Sequence, residues 1–303
     1  MVTAKIRSAS IRDTRSDRLF TIANYTFLGI ILLAVAYPLL YIVSSSFSSP
    51  EAVLSGRVFL WPVEPSLEGY REVFEYRKIW IGYRNSIYYA VVGTFINVVA
   101  TVLAAYPLSR SKLMGRNVIM FLFAFTMMFN GGLIPTYLVV RSVGLLNTRW
   151  ALMLPMAISV WNMIITRTYF KVTIPDELLE ASQIDGCSDF RFVWSVVLPL
   201  SGPILAVISL FYAVNHWNQY FWALVYLRDL ELFPLQLFLR EILVQNEVSN
   251  EMIGNIESAT ARDQLRELIK YALIIVASLP VLAAYPFVQR YFVKGVMIGA
   301  LKG

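Results

Sequence analysis

Long uninterrupted apolar blocks, rather than short periodic stretches, dominate the sequence. A helix that crosses about 30 Å of hydrocarbon needs about 20 mostly apolar residues. Six segments meet this requirement, running approximately over Leu19–Phe47, Asn85–Leu108, Val118–Val140, Ala151–Phe170, Val197–Leu227 and Leu268–Phe292. The pattern therefore predicts an all-α, polytopic membrane protein with six transmembrane helices.

The composition agrees with lipid as the surrounding solvent. Hydrophobic residues make up 57% of the chain and charged residues 15%, against about 45–50% and 25% in an average soluble domain. The first apolar segment, at about 28 residues, exceeds the roughly 7–15 apolar residues of a secretory signal. We therefore expect it to be retained as the first span.

The third segment contains Asn130-Gly131-Gly132, which predicts a bend or an interruption of the helix. Backbone freed at membrane depth must bond to neighbouring helices or line a water-filled cavity. Asn130 is therefore a candidate for the translocation path, and a packing kink explains the same residues equally well.

Basic residues at the ends of the apolar blocks predict the orientation, because cytoplasmic loops are enriched in Lys and Arg. With both termini in the cytoplasm, the inward segments carry Arg110, Lys112, Arg116, Lys171, Arg191, Arg290, Lys294 and Lys302. The two long outward loops carry Glu64, Glu68, Glu72, Glu75, Glu241, Glu247, Glu251 and Glu257. The predicted division is a cytoplasmic segment 1–18, a transmembrane domain 19–292 and a cytoplasmic tail 293–303.

Few residues are available for bond chemistry. The single cysteine, Cys187, excludes an internal disulfide, and together with the single histidine, His216, it leaves no zinc cluster. No G-x-x-x-x-G-K-[ST] phosphate loop occurs, so ATP would have to be bound by a partner. Basic residues form no dense patch interleaved with aromatics, which argues against nucleic acid. We predict no catalytic residue, no metal site and no cofactor in this chain.

An ion-coupled secondary carrier is one function class open to a polytopic membrane protein. Such carriers usually keep an acidic residue within the membrane to bind the driving cation. The first five segments contain no Asp or Glu, and Glu267 stands only at the mouth of the sixth. An intramembrane enzyme would need a catalytic set inside the spans, and none is visible.

A polar stretch between the fourth and fifth segments, about residues 174–186, predicts a short cytoplasmic helix. Its signals are a capping Thr173, Pro175, Asp176 and Glu177 in the first turn, and Gly186 at the stop. One face carries Leu178, Ala181 and Ser182. A short amphipathic helix of this kind suits docking in a groove of another protein.

The same stretch resembles a known signature. Glu180-Ala181-Ser182, then Gly186 after three residues, then Val196 and Leu198-Pro199 match the EAA signature of binding-protein-dependent ABC importer permeases. That signature reads Glu-Ala-Ala, three residues, Gly, nine residues, Ile, one residue, Leu-Pro. The chain departs from it at Ser182 and Val196, and both replacements are similar in size to the family's residues.

The resemblance implies the type I ABC importer permease fold with a cytoplasmic coupling helix, which sits in a cleft of the ATPase subunit. The residues that would couple to the ATPase are Glu177, Glu180, Ala181, Ser182, Asp185 and Gly186. Among them Glu180 would give a charged contact, Ala181 a close-packed contact and Gly186 an unhindered turn. An ordinary amphipathic connector between two spans is the competing interpretation.

Further stretches resemble the carbohydrate-uptake branch, in particular the second membrane subunit of the maltose importer. They are Leu60-Trp61-Pro62, Leu67 to Tyr70, Asn85-Ser86, Ala105 to Arg110, Trp217 to Trp222, Gln289 to Gly295 and Gly299 to Gly303. Phe129 to Pro135 is similar to the importers of polysaccharide-derived oligosaccharides, including the alginate and rhamnogalacturonan importers.

The resemblance also implies the partners and the location. The partners are a second homologous permease in a heterodimer, an ATPase dimer that binds ATP and Mg, an extracytoplasmic solute-binding protein, an oligosaccharide and membrane lipid. The location is the bacterial inner membrane. The net charge of +6 is compatible with acidic oligosaccharides, such as alginate- or pectin-derived ones, but the positive-inside rule already explains much of it.

Candidate substrate contacts lie in the fifth segment, where aromatic faces and amides suit sugar rings and hydroxyls. They are Asn215, Trp217, Asn218, Tyr220 and Trp222. Helix packing and interfacial aromatic belts are the competing explanation for them. We expect His216 to be a packed histidine. The outer loop from Glu241 to Asp263 is a candidate contact for the binding protein, with solvated surface as the alternative.

Overall fold

The computed structural model of the chain describes residues 14–244 and 259–300. This described part is helical throughout, with turns between the helices and no strand, so the predicted all-α class is confirmed. Most of the predicted N-terminal segment, the end of the tail with Lys302, and the loop residues Glu247, Glu251 and Glu257 lie outside the described residues.

The first half of the chain contains one long helix and several shorter ones. In chain order they are α1 (Arg15–Ser46), α2 (Pro50–Leu54), α3 (Glu68–Glu75), α4 (Arg77–Tyr88), α5 (Thr94–Ser109), α6 (Arg116–Met128) and α7 (Leu133–Ser142). A π-helical turn, Tyr89–Gly93, joins α4 to α5, which makes Arg77–Ser109 one continuous helical stretch.

Shorter helices follow, and the chain ends in a long one. They are α8 (Val160–Thr173), α9 (Asp176–Ile184), α10 (Asp189–Phe192), α11 (Leu198–Leu200), α12 (Gly202–Trp217), α13 (Phe221–Tyr226), α14 (Leu235–Val244) and α15 (Ala259–Ala300). A second π-helical turn, Val193–Val197, joins α10 to α11, and 3-10 turns span Arg149–Leu152 and Leu230–Leu232.

Three helical stretches are long and apolar enough to cross a membrane singly: Arg15–Ser46, Arg77–Ser109 and Leu265–Pro286. Two bent pairs raise the number to five if each pair is one span. One pair, α6 with α7, is bent by 117° at residues 129–132, and the other bends by 82° before Gly202. The predicted interruption at Asn130-Gly131-Gly132 is thus confirmed.

The predicted fourth span is built differently from a single long helix. Residues 149–152 form a 3-10 turn and α8 has 14 residues, which corresponds to about 21 Å of helix. That length falls short of the hydrocarbon thickness. Two other predicted limits also shift, because α1 begins at Arg15 rather than Leu19 and α15 continues past Phe292 to Ala300.

The chain divides into two compact units. The first contains the described residues up to Tyr70 and α15 up to Ile275. Hydroxyls organise it, since Ser44 Oγ donates to the Leu60 carbonyl at 2.6 Å and Ser46 Oγ lies 2.8 Å from the Tyr70 hydroxyl. Ala52, Val53, Val58 and Leu268 form its buried apolar cluster.

The second unit contains residues 71–244 and the rest of α15. One buried cluster gathers α5, α8 and α12 around Phe170, Phe192 and Ile208, and the other surrounds Leu152, Tyr226 and Phe238. Within the first cluster the hydroxyls of Thr101 and Tyr212 lie 2.6 Å apart. A hydroxyl pair thus links α5 to α12 inside this cluster.

Apolar side chains face outward along much of the described surface. In α1 the buried residues are Ser44, Ser45 and Ser46, whereas Phe20 and Leu33 are more than 70% exposed. Water would penalise such an arrangement, because exposed apolar area costs free energy. Lipid is its natural solvent, as the sequence predicts.

His216 is packed, as expected. It is 4% exposed, and its Nδ1 lies 3.4 Å from Gln219 Oε1. Its ring lies against Gly93 so closely that a Cβ on that glycine would fall 2.5 Å from His216 Nε2. The π-helical turn and α12 can approach each other here only because residue 93 has no side chain.

Candidate functional site

Helix α9 lies within the predicted residues 174–186. Its N-cap is Pro175 in extended conformation, and the helix ends before Gly186, whose φ of +78° favours glycine. The prediction that Thr173 caps it is wrong. Helix α8 continues through Thr173, and the turn is made at Ile174, whose side chain is fully buried in the cluster around Phe170.

The segment that follows α5 holds the beginning of α9. Arg110 Nη1 lies 3.1 Å from Asp176 Oδ1, and Ser111 donates its amide at 3.3 Å and its hydroxyl to Asp176 Oδ2. Arg110 is 7% exposed and also donates to the Phe170 carbonyl at 3.2 Å. The Ser111 hydroxyl, followed by its amide and by the charge of Arg110, lowers the pKa of Asp176, so this carboxylate is ionised at neutral pH.

A second ion pair lies one turn further along α9. Lys112 Nζ is 2.9 Å from Glu180 Oε1, and both side chains are more than half exposed. The hydrogen bond with Glu180 raises the pKa of Lys112. Glu180, a predicted ATPase contact, thus has a partner within the chain. Sequence reasoning missed this role of residues 110–112, which it used only to predict orientation.

The remaining predicted coupling residues are accessible. Glu177, Ala181, Asp185 and Gly186 are exposed, and Ser182 is half-buried with its hydroxyl donating to the Leu179 carbonyl at 2.7 Å. Two apolar side chains add to this surface, Leu178 at 39% and Ile184 at 87% exposure. An anchored short helix with an exposed apolar and acidic face can dock in another protein.

A pocket forms where α12 ends and α13 begins. Its volume is about 410 Å³, and its lining is Met156, Phe211, Val214, Asn215, Asn218, Gln219, Tyr220, Phe221 and Trp222. Four of the five candidates in the fifth segment therefore come together, because Asn215 and Asn218 lie one turn apart and the break after Trp217 brings in Tyr220 and Trp222. The volume is in the range of small-ligand sites.

Two predicted substrate residues lie elsewhere. Trp217 is 5% exposed, donates its Nε1 to the Ala277 carbonyl at 3.2 Å and meets Tyr83 edge-on. Trp217 therefore packs between helices and does not line the pocket. Asn130 is exposed at the break between α6 and α7, where its Oδ1 accepts from the Gly132 amide at 2.8 Å, and it also lies outside the pocket.

Comparison with known proteins decides the family. Residues 6–298 match the family described as "Binding-protein-dependent transport system inner membrane component". The chain belongs to this family. It is the membrane component of a binding-protein-dependent ABC importer, so it works with an ATPase and a solute-binding protein and is not itself an enzyme.

The relatives of this permease chain include two from Bacillus subtilis strain 168. The polygalacturonan/rhamnogalacturonan transport system permease protein YtcP is 43% identical over 95% of the chain and 99% of its own length. Protein LplC is 40% identical over 97% and 98%.

A solved structure is also similar. It is the crystal structure of a bacterial ABC transporter involved in the import of the acidic polysaccharide alginate. The TM-score is 0.85 at 39% identity, and the match covers 93% of this permease chain and all of the other. The type I importer permease fold implied by the sequence is confirmed.

Proposed function

We propose that this permease imports oligosaccharides derived from acidic polysaccharides, as one half of a heterodimer with a second homologous permease. The relatives named for polygalacturonan/rhamnogalacturonan and for alginate support this substrate class. Both termini lie in the cytoplasm, so α9 faces an ATPase dimer that holds ATP and Mg.

The observation that carries the proposal is the anchored, exposed helix α9. Its motif residues Glu180 and Gly186 stand at family spacing, and two ion pairs tie the helix to the end of α5. Closure of the ATPase dimer moves α9 inward, and the Arg110–Asp176 contact passes that movement to α5. The cavity between the two permeases then opens outward and receives the sugar.

The pocket lined by Asn215, Asn218, Tyr220 and Trp222 is the proposed substrate contact within this chain. Amide groups bond sugar hydroxyls, and aromatic rings stack on the C–H faces of sugar rings. Asn130 lines the path at the break between α6 and α7. Helix packing alone does not explain Asn215 and Asn218, because both are exposed and lie beside the aromatic rings.

The proposal is tested by uptake into proteoliposomes that contain the whole importer. The substrates are trigalacturonate and trimannuronate, presented with the cognate binding protein. We expect uptake to require both ATP and the binding protein. Uptake driven by an ion gradient without ATP would contradict the proposal and favour the secondary carrier.

Variants within the same assay test the pocket. Asn218→Ala with Tyr220→Ala should reduce uptake by about tenfold or more, because a buried sugar hydroxyl loses its partner. The basal ATPase rate should stay unchanged. Thr168→Ala, an exposed hydroxyl on α8 away from the pocket, is the control. Equal uptake by the pocket variant and the control would remove the pocket from the path.

A further inference from the structure

A second cavity lies apart from the pocket described above. Its volume is about 450 Å³, and its lining is Tyr137, Arg141, Leu146, Asn147, Val225, Tyr226 and Arg228. We call it the outer cleft, because the proposed orientation places the end of α7 and the residues after α13 on the extracytoplasmic side. The two arginines there oppose the positive-inside rule and so need another explanation.

Both arginines have free guanidinium groups. Within residues 14–244 and 259–300, neither the Arg141 nor the Arg228 side chain makes an ion pair or a hydrogen bond. A cation in the last turn of a helix is ordinary at Arg141, but Arg228 follows α13 in extended chain. Among the described residues, the cleft therefore presents two cations without a counter-ion.

Hydrogen bonds fix the backbone at one of these arginines. Asn147 adopts a φ of +56°, in the left-handed region, where asparagine is found more often than most residues other than glycine. From this conformation its amide donates to the Tyr226 carbonyl at 2.9 Å, and its Oδ1 accepts from the amides of Arg228 and Asp229 at 2.9 and 3.0 Å. The backbone that carries Arg228 is thus clamped to the loop that follows α7.

A buried polar group in the cleft also lacks a partner. Tyr226 is 3% exposed, and its hydroxyl makes no hydrogen bond with any described residue. A buried polar atom without a partner costs free energy, and a ligand whose polar group reaches this hydroxyl would relieve that cost. This observation is independent of the arginines and points to a polar ligand.

Aromatic rings connect the outer cleft with the pocket. Tyr137 stacks on Tyr226 with centroids 6.4 Å apart, and Tyr226 stacks on Trp222 at 5.3 Å. Tyr226 lines the cleft and Trp222 lines the pocket. Tyr226 is buried between the other two rings, so only the partly exposed rings of Tyr137 and Trp222 can meet a sugar ring, whereas acidic side chains of a docked protein would need only the cations.

We propose that the outer cleft binds the carboxylates of uronate residues as an acidic oligosaccharide passes from the binding protein towards the pocket. The inference rests on the proposed function and adds to it a second site with its own selectivity. Arg141 and Arg228 pair with the carboxylate, the Tyr226 hydroxyl bonds to the sugar, and the Tyr137 ring lies beside it.

The test is equilibrium binding to the complete importer in nanodiscs without binding protein. The probes are trigalacturonate and trimannuronate, each compared with its carboxyl-reduced form. Wild type should bind at least one acidic sugar about tenfold more tightly than its reduced form, as expected for a charge-assisted contact. R141Q with R228Q should abolish that preference and leave the reduced forms unaffected.

Two further variants complete the design. R141K with R228K keeps the charges and should retain part of the preference, which separates loss of charge from loss of fold. R57Q removes one arginine charge outside the cleft, at a residue paired with Glu64. It should leave the preference for the acidic sugar unchanged. No preference in wild type, or a preference that survives R141Q with R228Q, overturns the inference.

The remaining alternative is that the arginines bind acidic side chains of the binding protein. In that case R141Q with R228Q would weaken docking of the unliganded binding protein and leave sugar affinities unchanged, which also overturns the inference. Failure of the proposed function is seen separately, as absence of ATP-dependent uptake by wild type. A wild type that takes up acidic sugars without preferring them here would refute only the outer cleft.

Discussion

Arg110 and Lys112 hold the same helix from very different surroundings. Arg110 is buried and serves both Asp176 and the Phe170 carbonyl, whereas the Lys112–Glu180 pair is largely exposed. Removal of one partner from a buried pair leaves the other without compensation. We predict that Arg110→Met lowers the free energy of unfolding by about 2 kcal/mol, less than the roughly 3–5 kcal/mol of a fully buried pair, because Asp176 is partly exposed.

Thermal unfolding of the purified importer in detergent measures this difference. Lys112→Met serves as the matched variant, and its melting temperature should lie close to that of wild type, since exposed ion pairs are screened. Equal losses of stability in the two variants would mean that Arg110 is not the main anchor of α9.

Gly93 is a second position where one side chain decides packing. A Cβ at residue 93 would fall 2.5 Å from His216 Nε2, so Gly93→Ala should destabilise the chain by about 1–3 kcal/mol. Gly29→Ala, with no atom within 4 Å of the added Cβ, should be neutral or slightly stabilising because alanine favours helix. Thermal unfolding of both variants checks the opposite signs.

A double variant identifies the cause. Gly93→Ala combined with His216→Ala relieves the collision. The double variant should therefore lose less stability than the sum of the losses of the two single variants. Strict additivity of the two substitutions would show that the glycine is needed for backbone freedom and not for the approach of the imidazole.

At the scale of elements, α9 offers an exposed face whose apolar part can be altered without touching the core. Leu178→Gln with Ile184→Gln should weaken ATPase binding and reduce uptake by about tenfold or more, while thermal stability stays near that of wild type. The reason is that both side chains are substantially exposed and contribute mainly to docking. ATPase co-purification and uptake measure the effect.

Met114 gives the matched control for this surface. It is 93% exposed in the loop after α5, which the proposed orientation places on the same side of the membrane. Met114→Gln should therefore leave uptake almost unchanged. If the α9 variant behaved like Met114→Gln, the helix would be an ordinary connector.

Elements set by local chemistry could be predicted from the sequence, and long-range pairing could not. Asn130-Gly131-Gly132 predicted the break, and Gly186 predicted the end of α9, because both effects lie within a few residues. The prediction for Thr173 was wrong because α8 continues through this residue and ends at Ile174, whose side chain is buried in the core. The partners of Asp176 and Glu180 lie 65 or more residues earlier in the sequence, where no local signal joins them.

The whole molecule is defined by its outward apolar surface and by its orientation in the membrane. Cys187 is the only cysteine and lies just after α9, partly exposed. We predict that a membrane-impermeant maleimide labels it in inverted vesicles and not in right-side-out ones. Bound ATPase should slow the labelling, because the docked subunit covers the neighbouring helix.

A more exposed thiol makes this measurement decisive. Ile184→Cys in a Cys187→Ser background places the thiol on a side chain position that is 87% exposed. Labelling of that variant only from the outer side would reverse the orientation and the importer mechanism with it. The apolar segments were predictable at this scale, but of the two sharp bends only the one at Asn130-Gly131-Gly132 was predicted, and the short helix of the fourth segment was not.

The π-helical turn Tyr89–Gly93 amounts to one residue inserted into an otherwise regular helix. Before it, Asn85 and Ser86 hold residues 231–235, and after it Thr101 meets Tyr212. An α-helix turns about 100° per residue, so deletion of a single residue here would rotate one of these faces away from its partners. The stretch should therefore resist any change in length.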